Sequence, residues 1–110
     1  MKLQNIPFST TDWNTVAPVA HEGETGVSHW RSFEAGNIRV RMIEYSPGFR
    51  SDHYCERGHV LLVLQGELCI RLKNGSEHRL VPGMSFQVAD DTINPHLAYT
   101  ETGAKVFVVD

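Results

Sequence analysis

The sequence predicts an all-β fold, a small antiparallel barrel or sandwich, and three observations carry that expectation. From Ile38 onward, apolar and polar residues alternate with the two-residue period of a half-buried strand. Turn formers recur between the short alternating segments, at Pro47-Gly48, Asn74-Gly75, Pro82-Gly83 and Glu101-Thr102-Gly103. No segment carries a long helical repeat to compete with them. Many short strands at regular spacing belong to antiparallel barrels and sandwiches.

The elements follow in order. Residues 1–37 lack a clean period. Ser9 or Thr10 can cap a short helical turn before Trp13, residues 21–26 read as a polar loop, and residues 27–33 as a short strand. A lead that must bury Trp13, Trp30 and Phe33 is expected to pack as an arm across a sheet. Ile38, Val40 and Met42 then alternate with Arg39 and Arg41. Residues 59–64 are apolar on both faces, as in a strand covered on both sides. Leu68, Ile70 and Leu72 form the next strand, and Asn74-Gly75 is a strong hairpin signal. Strands are expected over 77–81, 85–89, 96–100 and 104–109, with a loop over 90–95. The expected organisation is an N-terminal arm (1–37) packed on a barrel domain (38–110).

Composition bounds the function. A chain of 110 residues, 41% hydrophobic and 21% charged, fits one globular domain. A net charge of −3 offers no basic surface for nucleic acid. No apolar run approaches the roughly 20 residues of a membrane span. Residues 1–7 lack the apolar core of a signal peptide. A cytoplasmic protein without nucleic-acid or membrane partners is expected, and its two cysteines are expected to be thiols.

The chemistry concentrates in Ser51-Asp52-His53-Tyr54-Cys55-Glu56-Arg57-Gly58-His59, directly before the most apolar strand. If the stretch is extended, His53 and Cys55 point the same way. His59 opens the next strand with Leu61 and Val63 on its side. His96, just after Pro95, is a potential fourth donor from elsewhere in the fold. Nitrogen and sulfur donors of this kind suit zinc or copper(I) rather than magnesium, calcium or manganese. The rival reading is a polar turn before a core strand, with His96 a loop histidine. Glu44, in phase with Ile38, Val40 and Met42, is the candidate catalytic acid or base, unless it ends its strand in solvent. Tyr99 and Gln87 are weaker pocket candidates. Arg39 and Arg41 read as a solvated face able to bind an anion, and Cys69 as a packed thiol.

These residues resemble the cupin superfamily. The first cupin motif runs from a glycine through a His-x-His pair and a glutamate to another glycine; here Pro47-Gly48, His53, Cys55, His59 and Gly66 stand in that order. The second motif is similar to Pro82-Gly83, Phe86, Val88 and Asn94-Pro95-His96. Nearly the whole chain also resembles small single-domain cupins with a "DHCW" signature, through Thr11-Asp12-Trp13, Trp30-Arg31, Asp52-His53-Tyr54-Cys55 and Gly58-His59. The resemblance implies a jelly-roll-like antiparallel barrel and a metal set of His53, Cys55, His59 and His96. Cysteine and histidine stand where cupins carry histidine and glutamate. Zinc is therefore favoured, with iron, nickel or manganese as alternatives.

The resemblance implies a barrel of unassigned activity with a metal-binding or small-molecule pocket, and the first reading is a metal-dependent enzyme acting on a small polar molecule, as an isomerase, decarboxylase, hydrolase or oxygenase. The alternative is a non-enzymatic barrel that binds a small ligand or senses metal or oxidation through Cys55. Val60, Leu62 and Leu64 form a second apolar face, which either the arm or a second copy in a homodimer must cover.

Overall fold

The computed structural model describes residues 2–90 and 93–110. Among these residues, nine strands follow one 3₁₀ turn: β1 (Val19–Glu22), β2 (Val27–Ala35), β3 (Ile38–Tyr45), β4 (His59–Gly66), β5 (Leu68–Leu72), β6 (Glu77–Leu80), β7 (Ser85–Val88), β8 (His96–Tyr99) and β9 (Ala104–Val109). They build a six-stranded sheet, ordered β1-β2-β3-β9-β4-β7, and a three-stranded sheet, β6-β5-β8. Every strand pairing is antiparallel. Among the described residues, no helix is long and apolar enough to cross a membrane.

The expected strands appear with boundaries shifted by a residue or two. The N-terminal lead is more regular than expected. β1 and β2 extend the larger sheet, and β2 pairs with β3 from Ser28↔Tyr45 to Ala35↔Ile38. The turn at Trp13–Thr15 is capped by Asp12, whose Oδ1 accepts from the Asn14 amide at 3.0 Å, rather than by Ser9 or Thr10. The Asn74-Gly75 hairpin forms as expected: Gly75 takes φ +94°, and the Asn74 side chain accepts from the Ser76 amide. The expected 90–95 loop includes Asp91 and Thr92, which lie outside the described residues.

The two sheets face each other across the core. Ile43, Leu61, Val63, Val106 and Val108 from the larger sheet meet Leu68, Ile70 and Leu80 from the smaller one, each almost fully buried. The corner between β4 and β5 needs Gly66. It adopts φ +75°, and a Cβ there would collide with the Gly103 carbonyl oxygen.

The phase of β3 is opposite to the expected one. Arg41 and Ile43 are buried, while Glu44 is exposed. The arginine stripe therefore faces inward. A buried carboxylate, Asp110, makes this possible by supplying the counter-charge. On the outer face, Phe33, Val40 and Val109 stand in register with Val60, and Met42 and Phe107 with Leu62. Trp13 packs edge-on against Phe107 there, with ring centroids 6.4 Å apart.

Candidate metal centre

Three elements bring three donors together. Cys55 lies in the connection before β4, and a reciprocal pair of backbone hydrogen bonds ties it to His96 at the start of β8, at 2.7 and 3.0 Å. His59 opens β4. The Cys55, His59 and His96 ligand atoms lie within 4.8 Å of one another. Cys55 Sγ is 3.6 Å from His59 Nε2. Both cysteines are free.

The sheet order supplies the support. Val109 pairs with both Val40 and Val60, so the next residue, Asp110, falls between Arg39 and His59. Backbone hydrogen bonds in both directions join Asp110 to Arg39. The Asp110 side chain is 1% exposed. It accepts from Arg39 Nε at 3.0 Å, Arg39 Nη2 at 2.9 Å, Arg41 Nη2 at 3.0 Å and His59 Nδ1 at 2.9 Å. Arg57 Nε stands 3.3 Å from the same carboxylate. A His59 Nδ1–H held by a carboxylate leaves Nε2 as the lone-pair nitrogen, turned toward Cys55.

Electrostatics keep the two rings available as donors. Burial, then the neighbouring His96, lower the His59 pKa to about 4, against the opposing pull of Asp110. Burial also lowers that of His96, while contact with the Asn94 backbone opposes the fall. Among the described residues, the buried His96 Nδ1 has no hydrogen-bond partner. Burial pushes the Asp110 carboxyl upward, but the Arg39 hydrogen bond and the charges of Arg41 and Arg39 outweigh it and leave it below its ordinary value. Phe86 closes one side, edge-on to both His59 and His96.

These donors open onto a cavity of about 420 Å³ between the sheets, whose walls include Trp30, Arg41, Tyr45, His53, Phe86 and His96. That lies toward the small end of the roughly 300–1,000 Å³ typical of small-molecule sites. The donor set suits a metal ion: one sulfur and two neutral nitrogens converge, one ring is oriented by a carboxylate, and a buried nitrogen lacks a partner.

The structure separates the expected residues. Cys55, His59 and His96 come together. His53 lines the cavity mouth, but its side chain is 75% exposed, and its Nδ1 lies 2.6 Å from Asp52 Oδ1. Residues 52 and 53 form a bend rather than a strand, so side-chain alternation does not carry His53 to the Cys55 side. Glu44 stands on the outer face, 3.6 Å from Arg31 and 3.8 Å from Lys105, because β3 runs in the other phase. Tyr99 donates to Glu77, and Gln87 lines a second, smaller cavity behind His96. Arg41 and Asp110 belong to the site but were not expected there. The signal available in the sequence was Arg39 and Arg41 on one strand face, a pair that needs a carboxylate if that face is buried.

No family model matches the sequence, and no curated protein matches it. Solved structures do. An RmlC-like cupin from Shewanella frigidimarina superposes with a TM-score of 0.74 at 18% identity, covering 96% of this chain and 92% of that one. A predicted oxalate decarboxylase from Thermotoga maritima gives 0.76 at 14% identity, with 92% and 96% covered. A sugar phosphate isomerase of the cupin superfamily from Silicibacter pomeroyi gives 0.70 at 19%, with 92% and 74% covered. These likenesses extend over nearly the whole chain, and the chain has the cupin fold.

Proposed function

We propose that this protein is a small metal-dependent cupin enzyme, of the kind with a DHCW-type signature, acting on a small polar molecule in the cavity. The observation that carries the reading is the convergence of Cys55, His59 and His96 within 4.8 Å at the cavity wall. These residues would hold the ion, and zinc suits the thiolate and imidazoles best. A bound ion of this type acts as a Lewis acid or generates a nucleophilic hydroxide from water. Three protein donors rather than four fit a catalytic site, which keeps one position open for water or substrate. This favours an enzyme over a closed sensing site.

The protein's own residues have definable tasks. Asp110 holds the proton on His59 Nδ1 and fixes the ring's orientation. Arg39 and Arg41 keep Asp110 ionised. Phe86 shields the two imidazoles, and His53 with Asp52 stands at the entrance. The neighbouring sugar phosphate isomerase and predicted oxalate decarboxylase lend support to an enzymatic role for the fold. A homodimer in the cytoplasm completes the proposal. Its support is the outer face of the larger sheet, where Val60, Leu62 and Leu64 are 45%, 36% and 37% exposed beside Met42 and Phe107.

Elemental analysis of tag-free protein tests the metal reading. One equivalent of metal is expected, lost in H59A and in C55S. No metal after loading with zinc, iron, nickel and manganese in turn would sink it. Light scattering coupled to size-exclusion chromatography tests the homodimer, and a monomer at all concentrations removes that part.

A further inference from the structure

The cavity contains more positive charge than the metal ligands need. Arg41 is 4% exposed. Its Nη2 bonds Asp110, but its Nε, also buried, has no hydrogen-bond partner among the described residues. Its guanidinium carbon lies 4.5 Å from the centroid of the Trp30 ring, and that of Arg39 lies 5.6 Å away. Trp30 is itself held in place, stacked on His21 at 3.9 Å and donating from Nε1 to Ser28 Oγ at 3.0 Å. A rigid aromatic wall therefore backs the arginine pair.

The charges do not cancel. Arg39 and Arg41 share one buried carboxylate, Asp110, with Arg57 also 3.3 Å from it. The acidic groups along the cavity wall, Glu22 and Asp52, are exposed to water at the rim. A buried donor without a partner costs about 1–3 kcal/mol unless something completes it. A guanidinium edge is matched in geometry by a carboxylate or phosphate oxygen pair.

We propose that the cavity binds a compact oxyanion, the carboxylate or phosphate group of a small molecule, with the Arg41 guanidinium as its principal donor and Trp30 as the wall beside it. This names the substrate class for the same cavity, and so rests on the reading above for its metal side only. Arg41 and His59 bond the same Asp110 oxygen. An anion held by Arg41 would therefore lie near the candidate metal centre.

Calorimetry on tag-free protein tests this, first stripped of metal and then loaded with zinc. The probes are malonate, inorganic phosphate and the neutral comparator malonamide. At least one anion is expected to bind metal-free protein tenfold or more tighter than malonamide. R41K, which keeps a cation beside Asp110, is expected to lose at least tenfold of that affinity. Malonate alone points to a carboxylate substrate and phosphate alone to a phosphate ester; either supports the proposal. If R41K does not fold, quenching of Trp30 emission in a W13F background by the anions, and not by malonamide, carries the same information. Binding of both malonate and phosphate no tighter than that of malonamide, or no binding of either anion to metal-free protein, overturns it. Binding that needs zinc and is unchanged in R41K places the anion on the ion instead: the proposal fails while the metal reading stands. Binding to metal-free protein that takes up no zinc does the reverse.

Discussion

Asp110→Asn is the substitution that most directly probes how the site is held. The carboxylate takes five contacts between 2.9 and 3.3 Å from Arg39, Arg41, Arg57 and His59, with its side chain 1% exposed. Asparagine keeps the shape but removes the charge, and its amide NH₂ must face at least one of these donors. Removing one partner of a buried ion pair costs about 3–5 kcal/mol, because the remaining charge is left without compensation. Arg57 is 54% exposed, and water there can screen part of the loss. The lower figure, about 3 kcal/mol, is therefore the expected one. For a domain of this size, that corresponds to a melting point lower by about 12–24 °C. Urea unfolding followed by tryptophan fluorescence measures it. The control is E67Q, whose partner Arg79 is 68% exposed; no measurable change is expected there. If D110N unfolds within about 0.5 kcal/mol of wild type at unchanged m-value, the buried network does not hold the fold as described.

Other outcomes follow from the same geometry. In metal-free protein the His59 pKa falls from 6.5 to about 4 on folding, so between those values the unfolded chain binds a proton that the folded chain does not. Stability is then expected to fall as pH drops from 6.5 toward 4, by roughly 3 kcal/mol from this group, and to fall further as acid protonates Asp110, whose folded pKa is depressed. H59Q should flatten the upper part of that slope in urea midpoints, and a stability that rises on acidification contradicts the assignment. H53A is expected to keep its zinc stoichiometry while H59A loses it, because His53 stands in solvent at the cavity mouth; equal loss in both variants would place His53 among the ligands. G66A is expected to destabilise by more than 1 kcal/mol, about the ordinary cost of a backbone-incompatible substitution, because it adds strain to a collision with the Gly103 carbonyl. A wild-type melting point for G66A removes that account of the corner.

Much of the fold was legible because antiparallel strands announce themselves locally. Alternation from Ile38 and the turns at Asn74-Gly75 and Pro82-Gly83 mark where strands begin and end without knowledge of their partners. Cys55, His59 and His96 were legible through motif spacing. What escaped was everything that depends on pairing. Ile38, Val40 and Met42 against Arg39 and Arg41 give the period of β3 but not its phase, because a buried arginine stripe with a counter-ion reads like an exposed one. Asp110 carried no signal by itself. It reaches Arg39 and His59 only because β9 lies between β3 and β4 in one particular register. His53 was grouped with Cys55 by strand alternation, which does not apply in the bend it occupies. The N-terminal lead was legible as an arm that packs on a sheet and holds a short strand over residues 27–33, but not as holding the further strand Val19–Glu22.

Anomalous diffraction from zinc-loaded crystals, recorded on both sides of the zinc absorption edge, tests the central claim most directly. A single edge-dependent peak bounded by Cys55 Sγ, His59 Nε2 and a ring nitrogen of His96 is the expected result. Zinc bound only at exposed histidines such as His53 or His78, with nothing between Cys55, His59 and His96, would contradict it.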